Sequence, residues 1–320
     1  MLRAHPVPLL ALSLLIASSA CDPTVAGKND VLRFRYDADD SFLPSAFATP
    51  IGTGLAARVE VFVDPDGGDG SDQVGAPVID ASSNDPVVID VVATAGNEIT
   101  LLAKSAGIAE ISVQTTSGDD RFDVRVVDIA KVDLQHPGVL VSDNPPSKGV
   151  VGGTARFIVA LKDSANNAVV GFGALQATVA PNGAAVVLES EEIGFVPVRF
   201  GVAGAATITA QGDDALDLDI VADADVVSLE MKGPDAVTSL KVDGELVAVL
   251  RGLTGAGDTV VGVASLATVT SSDSAVCAIS PSPRLGEGAY LIKAKAVGTC
   301  RLEATLGARA VRHDLTVSAK

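Results

Sequence analysis

Residues 101–113 have the sequence LLAKSAGIAEISV, and related stretches occur at residues 198–210 (VRFGVAGAATITA) and 291–304 (LIKAKAVGTCRLEA). Each copy has an apolar run, a glycine, and a second run in which apolar and polar residues alternate. Successive side chains of a strand point to opposite faces of a sheet, so this alternation predicts two β-strands around each glycine. The stretch therefore marks a repeated β unit.

The repeat glycines are Gly107, Gly204 and Gly298, which lie 97 and 94 residues apart. This spacing is the size of one immunoglobulin-like sandwich, about 100 residues. We predict that each glycine has a positive φ in the turn between its strands. Two more strand-like segments recur around each glycine, an earlier one (57–63, 155–161, 246–250) and a later one (122–127, 216–221, 313–317). Three units with the same strand order favour three domains over one large barrel.

The composition indicates an all-β fold, built as tandem immunoglobulin-like β-sandwiches. Hydrophobic residues make up 48% of the 320 residues, which excludes a wholly disordered chain, and 31 Gly and 16 Pro separate short runs rich in Val, Ala, Leu and Ile. We predict a signal peptide at 1–20, a lipid-tether linker at 21–30, and immunoglobulin-like domains at 31–128, 129–227 and 228–320. The net charge of −17 and the lack of a basic stripe argue against a nucleic-acid partner.

These segments resemble the bacterial immunoglobulin-like (Big) domain families, through the pattern strand-Ala-x-Gly-x-Ala-strand. Residues 275–279 and 294–304 resemble the cysteine-paired variant of these domains, and residues 161–171 resemble a turn of invasin-type repeats. The resemblance covers most of residues 30–320 and implies a sandwich fold in an envelope protein. It implies no single function, because such sandwiches serve adhesion, spacing and stiffening alike.

The N-terminus predicts export. Arg3 precedes an apolar run at 9–16, and small residues at 17–20 lead to Cys21. The run is too short for a permanent membrane helix, which needs about 20 residues, so it indicates a cleaved signal peptide. The Ala-Cys end resembles the bacterial lipobox, although Ser18 stands where that pattern prefers Leu. The resemblance implies a lipid on Cys21 and attachment to a membrane of the cell envelope; the alternative is ordinary cleavage near Ala20 with Cys21 as a spare thiol.

The other cysteines, Cys277 and Cys300, lie 23 positions apart in strand-like runs of the third unit. An exported chain allows a disulfide between them, which would stabilise that unit by roughly 3 kcal/mol. The alternative is two buried free thiols. Pairing would leave Cys21 as the odd cysteine, for which a thioether to lipid accounts.

An acidic segment at 64–72 raises a second functional hypothesis. Its carboxylates Asp64, Asp66, Asp69 and Asp72 could bind Ca²⁺, which prefers six to eight oxygen ligands. The segment does not fit the EF-hand pattern, and Asp and Gly are also ordinary turn residues. We therefore favour a solvated loop and keep a calcium-dependent adhesion or ligand-binding module as the alternative function.

Catalytic patterns are absent from the sequence. His5, His136 and His313 have no partners at metal-ligand spacing, and there is no Gly-x-Ser-x-Gly or His-Glu-x-x-His motif. The pairs Glu191-Glu192 and Asp213-Asp214 lie in turn-like segments. The chain has no Trp and two Tyr, Tyr36 and Tyr290, which argues against a sugar-binding platform, and we expect Tyr290 in the core. We predict a non-enzymatic structural or interaction scaffold without a cofactor.

Overall fold

The computed structural model of the chain describes residues 24–37, 46–63, 73–137, 148–212, 215–233, 237–282 and 286–320. These residues form strands β1 to β28, arranged in stacked sheets. The helical elements within them are short 3-10 turns at Ala46–Ala48, Asp223–Asp225 and Val263–Ser265. The prediction of an all-β fold is confirmed.

The first sandwich contains the described residues between 24 and 127. Its strands are β1 (Val25–Ala26), β2 (Arg33–Tyr36), β3 (Ile51–Gly52), β4 (Ala56–Val63), β5 (Val74–Gly75), β6 (Val78–Ser83), β7 (Ile89–Ala95), β8 (Glu98–Ala103), β9 (Gly107–Thr115) and β10 (Gly118–Val127). One sheet has the order β1-β2-β4-β8-β7, with β5 paired to β4, and the other has the order β3-β10-β9-β6.

The second sandwich contains the described residues between 131 and 221. Its strands are β11 (Lys131–Gln135), β12 (Lys148–Val150), β13 (Thr154–Lys162), β14 (Ala168–Val169), β15 (Ala177–Ala180), β16 (Ala185–Val187), β17 (Phe195–Phe200), β18 (Gly204–Ala210) and β19 (Leu216–Val221). One sheet has the order β11-β13-β17-β16, with β14 paired to β13. Strands β15, β18, β19 and β12 form the other layer.

The third sandwich contains the described residues between 226 and 318. Its strands are β20 (Val226–Lys232), β21 (Ser239–Lys241), β22 (Glu245–Thr254), β23 (Thr259–Val261), β24 (Thr268–Ser271), β25 (Cys277–Pro281), β26 (Ala289–Ala294), β27 (Gly298–Leu306) and β28 (Arg309–Ser318). One sheet has the order β21-β28-β27-β24. The other continues the layer of the second sandwich, in the order β15-β18-β19-β12-β23-β22-β26-β25, with β20 paired to β22.

The repeat glycines lie where the chain crosses between the two layers. In the first sandwich β8 belongs to one sheet and β9, which begins at Gly107, belongs to the other. The φ values of Gly107, Gly204 and Gly298 are 159°, 132° and 158°, so the prediction of positive φ is confirmed. A Cβ on Gly107 would lie 2.9 Å from Val88, and a Cβ on Gly298 would lie 2.9 Å from Val276. Glycine thus lets the crossing pass close to the neighbouring loop.

A tight corner also recurs, before β4, β13 and β22. Its central residue has positive φ in each sandwich: 82° at Gly54, 81° at Gly152 and 65° at Asp243. The amide of that residue donates to the last residue of the neighbouring strand each time, to Ala103, Phe200 and Ala294 respectively, at 2.8–2.9 Å. The three corners therefore share one backbone geometry.

Each sandwich has its own hydrophobic core. The first contains Phe34, Phe47 and Phe122 in mutual ring contact, and the second contains Phe157 and Phe200. The third core includes Tyr290, which is 8% exposed, and the buried sulfurs of Cys277 and Cys300. The expectation that Tyr290 is a core residue is confirmed.

Candidate functional site

The most distinctive surfaces of this chain are the two joints between its sandwiches. At the first joint, the outer edge of β3 pairs with the second sandwich. The amide of Gly52 donates to the Val170 carbonyl at 2.9 Å, and the amide of Val170 donates to the Pro50 carbonyl at 2.9 Å. Ala56 and Phe172 exchange a second pair of backbone hydrogen bonds, at 2.8 and 2.9 Å. The first joint is therefore a short piece of β-sheet.

The cores of the first and second sandwiches meet at this joint. Val170 and Ile193 of the second sandwich belong to the core cluster of the first, and Leu55 of the first belongs to that of the second. A Cβ on Gly171 would lie 2.7 Å from the Leu55 Cβ, so glycine is required for this approach. Burial of such side chains stabilises by about 1.5–3 kcal/mol each, which makes separation of the sandwiches costly.

An arginine covers the side of the first joint. The Arg58 guanidinium lies 4.8 Å from the centre of the Phe172 ring, and its Nη1 donates to the Glu191 carbonyl at 3.0 Å. This segment of the second sandwich therefore has a structural contact, consistent with the turn-like role expected for Glu191-Glu192.

The second joint repeats the geometry of the first. Strand β12 pairs in parallel with β23, with Gly149 opposite Val261. Val150 of the second sandwich belongs to the core of the third, and Val261 of the third belongs to that of the second. The Lys148 ammonium lies 2.8 Å from Asp219 of its own sandwich and 3.5 Å from Asp258 of the next. Both joints thus combine parallel strand pairing with exchanged core residues.

Close backbone approach marks the second joint as well. A Cβ on Gly153 would lie 2.6 Å from the Gly262 carbonyl oxygen. The amide of Thr154 donates to Ser265 Oγ at 2.8 Å across the joint. The third sandwich therefore supplies an acceptor for an amide at the start of β13.

Glu287 supplies the next acceptor across the same joint. Its Oε2 accepts from the Arg156 amide at 3.1 Å, and its Oε1 accepts from the Gly262 amide at 3.2 Å. Burial raises the pKa of Glu287, and the two amides and the nearby Arg156 charge oppose that rise only in part. This carboxylate therefore joins backbone groups of both sandwiches in a place poor in solvent.

A shallow concavity of about 330 Å³ lies beside Arg156. The guanidinium stacks 4.2 Å from the centre of the Phe195 ring and pairs with Glu192. Ser190 Oγ, on the same wall, lies within hydrogen-bond distance of the carbonyl oxygens of Glu192 and Phe195. The hydrogen bonds of this hydroxyl within the described residues are to backbone groups. The contacts instead fix a loop next to both joints.

Asp120 fastens the start of the chain to the first sandwich. Its buried carboxylate accepts from the backbone amides of Asn29, Val31, Leu32 and Arg121, at 2.8–3.0 Å. Burial alone would raise the pKa of Asp120, but these four donors outweigh it, and the pKa lies below its ordinary value. A Cβ on Gly27 would overlap this carboxylate, so the loop closes tightly on it.

Residues 24–30 contact the first sandwich along their length. Strand β1 pairs with β2, and the Lys28 ammonium lies 2.7 Å from Glu110 and 2.6 Å from Asp123. This stretch falls in the interval 21–30 that we predicted as a linker. The predicted domain boundaries themselves stay predictions.

Cys277 and Cys300 form a disulfide in the third sandwich. Cys277 begins β25 in one sheet and Cys300 lies on β27 in the other, so the bond links the two layers. The predicted pairing is confirmed, and the alternative of two free thiols is wrong.

Several predicted site residues lie outside the described residues: Cys21, the calcium candidates Asp64, Asp66, Asp69 and Asp72, and the pair Asp213-Asp214. Among the residues that the structure describes, no group of three or more His, Cys, Asp or Glu side chains could hold a metal ion. His313 Nε2 lies 3.1 Å from the Val237 carbonyl. His136 packs on Phe157, and its Nδ1 is buried without a partner in the described part of the chain.

Sequence reasoning missed the residues that build the joints. The tripeptide Val-Val-Gly occurs at 150–152, 169–171 and 260–262, and the last two copies lie at the receiving side of the two joints, so this repeat is a partial signal for them. The sequence also indicates that Asp120 is buried, because alternation along β10 places it on the same face as the apolar residues Phe122, Val124 and Val126. Glu287 stands between two glycines, and no pattern in the surrounding sequence indicates its role at the joint.

No helix within the described residues is long and apolar enough to cross a membrane. The strand pairing, the two-layered cores and the corner that recurs in each sandwich define an all-β protein made of tandem immunoglobulin-like sandwiches.

No protein-family model matches the chain, and no curated protein matches it. Among solved structures it is similar to domains 4–9 of surface layer protein SbsC, at 18% identity and a TM-score of 0.30, over 93% of this chain and 46% of that one. It is similar to invasin, a bacterial integrin-binding protein, at 13% identity and a TM-score of 0.27, over 90% of this chain and 60% of that one. It is also similar to the Escherichia coli adhesin FdeC, at 13% identity and a TM-score of 0.25, over 92% of this chain and 98% of that one. The chain spans about half of the SbsC structure, and at these scores the likeness carries no functional argument.

Proposed function

We propose that this chain is a non-enzymatic lipoprotein of the cell envelope. In this proposal Cys21 carries the lipid, and domains 31–128, 129–227 and 228–320 form a stiff stalk of the bacterial immunoglobulin-like type. The stalk spaces or displays a binding surface at a distance from the membrane.

The joints are the observation that supports a stalk. Domains in one chain usually move relative to each other, because their interfaces are small and polar. Here Val170 lies in the core of the preceding sandwich, and Val150 lies in the core of the following one. Bending either joint would expose buried apolar side chains and break backbone hydrogen bonds. A chain joined in this way holds its ends apart, which suits a spacer.

The polar clusters of the described residues support a non-catalytic role. The carboxylates of Asp120 and Glu287 are occupied by hydrogen bonds from backbone amides, and the Arg156 guanidinium pairs through Nη2 with Glu192. Such internally paired clusters stabilise a scaffold, whereas catalytic groups need access to a substrate.

Metabolic labelling with palmitate tests the anchor. The full-length chain and a Cys21→Ser variant are expressed in a bacterial host, followed by membrane fractionation and surface proteolysis. We expect label and membrane association in the wild type only, and the protease results will identify the exposed face. Equal membrane association of both proteins, without label, would refute the lipid anchor.

Small-angle X-ray scattering of the soluble part, residues 24–320, tests the stalk separately. A stiff stalk gives one elongated distance distribution that does not change with ionic strength. A distribution that fits only freely jointed sandwiches would contradict the spacer role.

A further inference from the structure

Strand β21 of the third sandwich is the counterpart of the two strands that build the joints. Strands β3, β12 and β21 each pair in parallel with the last strand of their own sandwich, which is β10, β19 and β28 respectively. The outer edge of β3 pairs with the second sandwich, and the outer edge of β12 pairs with the third. The outer edge of β21 is the third of this kind, and no strand within the described ranges pairs with it.

The backbone of β21 presents an acceptor and a donor to a strand outside the third sandwich. At the first joint the corresponding groups are the Pro50 carbonyl and the Gly52 amide, which bind the second sandwich. Counted back from the corner, the same positions in the third sandwich are Ser239 and Lys241. An extended segment laid in parallel along β21 would therefore form the two backbone hydrogen bonds of the joint. Addition of a strand to a sheet edge is a recurring mode of peptide recognition.

Leu240 makes one side of this edge apolar. It packs against the third core but is only half-buried, whereas its counterpart Ile51 in the first sandwich is fully buried. Ile51 lies opposite Val170 of the second sandwich, and both belong to one core cluster. A strand on β21 would place a side chain beside Leu240 in the same way. Because burial of apolar surface is favourable, the partner residue opposite Leu240 should be apolar.

Lys241 determines the charge that a partner needs. Its counterpart at the second joint, Val150, lies in the core of the following sandwich, whereas Lys241 is exposed and has no ion pair among the described residues. An unpaired ammonium in an apolar core is costly, so a sandwich docked as at the second joint does not fit here. A lysine on an edge also discourages pairing with uncharged strands. A carboxylate opposite Lys241 would instead form a charge-assisted hydrogen bond.

The edge of β21 lies at the end of the third sandwich that faces away from the second. Strand β22 begins beside the corner that follows β21 and ends at β23, which pairs with β12 at the second joint. Its ten residues span about 33 Å at ~3.3 Å per residue, so the two ends are well separated. A partner bound to β21 would therefore be held at the far end of the stalk.

We infer that the outer edge of β21 is the binding surface that the stalk displays. It takes up a parallel, extended segment of a partner protein, in which an apolar residue opposite Leu240 is followed directly by Asp or Glu opposite Lys241. This inference rests on the proposed stalk and makes its role specific.

The test uses two peptides that differ in one side chain. Residues 256–265 contain the strand that pairs with β12 at the second joint, and peptides of this sequence with Gly262→Glu or Gly262→Lys place either charge opposite position 241. Each peptide is immobilised through a C-terminal biotin, and binding of the full chain in mild detergent is measured by biolayer interferometry at low ionic strength. The chains compared are the wild type, Lys241→Glu and Lys295→Glu. Lys295 is exposed at the same end of the sandwich but lies outside the strands.

We expect the wild type to bind the Glu peptide several-fold more tightly than the Lys peptide, because one charge attracts Lys241 and the other repels it. Lys241→Glu should reverse this preference, and Lys295→Glu should keep it. Since the readout is a reversal, loss of folding cannot imitate it.

Binding of neither peptide would overturn the inference. So would a preference that persists in Lys241→Glu, or one that Lys295→Glu loses to the same degree. Sedimentation at the same concentration tests a second copy of the chain as the occupant: dimers that disappear in Lys241→Glu would replace the proposed partner. None of these results affects the lipid anchor or the stiffness of the stalk, which palmitate labelling and scattering test separately.

Discussion

Glu287 of the third sandwich accepts a hydrogen bond from the backbone amide of Arg156 in the second, at 3.1 Å, while its other oxygen accepts from Gly262 at 3.2 Å. One side chain thus satisfies an amide from each side of the second joint. A buried amide without an acceptor costs free energy, so the joint depends on this carboxylate.

Removing the carboxylate should weaken the whole chain. We expect Glu287→Ala to lower the free energy of unfolding by roughly 2 kcal/mol, because two part-buried amides lose their acceptors. Glu287→Gln keeps one acceptor oxygen and should lose less. Urea denaturation measures both variants. Glu245→Ala is the control, since its exposed pair with Lys293 should contribute less than ~1 kcal/mol. An equal loss of unfolding free energy in Glu287→Ala and Glu245→Ala would contradict the role of Glu287.

Glu287 should also make stability depend on pH. Burial raises its pKa in the folded chain, whereas the unfolded chain titrates at the ordinary value of about 4.3. Between these two pKa values the native state holds a proton that the unfolded state has lost. Stability from this group should therefore fall as the pH rises through that window. The difference in melting temperature between the wild type and Glu287→Gln should therefore shift in favour of the variant as the pH rises through that window; a difference that stays constant with pH would exclude the effect.

Asp120 should have the opposite pH dependence. The pKa of Asp120 is lowered in the folded state. Its contribution to the free energy of unfolding is therefore fully present above the pKa of the unfolded state, and it is lost as the pH falls through the pKa of the folded state. Near neutral pH, Asp120→Asn should destabilise the chain by about 3 kcal/mol, since one amide oxygen replaces a carboxylate with four donors. Asp119→Asn is the matched neighbour on the exposed face of β10 and should have little effect. Thermal melts at neutral and strongly acidic pH provide the comparison.

Much of this fold could be predicted because it depends on local patterns. Alternation along 122–127 places Phe122, Val124 and Val126 inside, and the structure buries all three. The crossing glycines needed positive φ, which few other residues adopt at low cost. These signals lie within a few residues of each other in the sequence.

The joints depend on contacts distant in sequence, which no local pattern determines. Gly52 meets Val170, and Glu287 meets Arg156, across more than a hundred residues in each case. The edge of β3 gives no sign in its own sequence that another sandwich will pair with it. For the same reason the sequence predicted three separate units and did not predict that they share core residues.

Glycine at the second joint should prove necessary. A Cβ at position 153 would lie 2.6 Å from the Gly262 carbonyl, which is backbone and cannot move aside alone. We expect Gly153→Ala to cost about 1–3 kcal/mol and to widen the scattering distance distribution as the joint opens. Gly255→Ala is the control, because a Cβ on Gly255 would lie 3.9 Å from a Val227 methyl, an ordinary van der Waals distance. An unchanged distribution for Gly153→Ala would show that the joint tolerates the added methyl.

Loss of the disulfide should affect the third sandwich above all. The bond closes a separation of 23 residues between the two layers, and the chain-entropy model assigns it roughly 3 kcal/mol. Cys277→Ala combined with Cys300→Ala should lower the melting temperature, and a reducing agent should bring the wild type to the same value. If reduction leaves the melting temperature unchanged, the bond does not contribute to stability.

Calcium should leave stability unchanged, since we expect the segment at 64–72 to be a solvated loop. A cation that binds only the folded chain adds about 2.7 kcal/mol at a hundred times its dissociation constant, which a melting scan resolves as several degrees. The scan compares the wild type with and without millimolar Ca²⁺, and an Asp64→Asn, Asp66→Asn variant serves as the control. Ca²⁺ needs six to eight oxygens, so losing two carboxylates should remove any genuine site. A rise in the wild type that this variant lacks would favour the calcium-dependent binding module over a plain spacer.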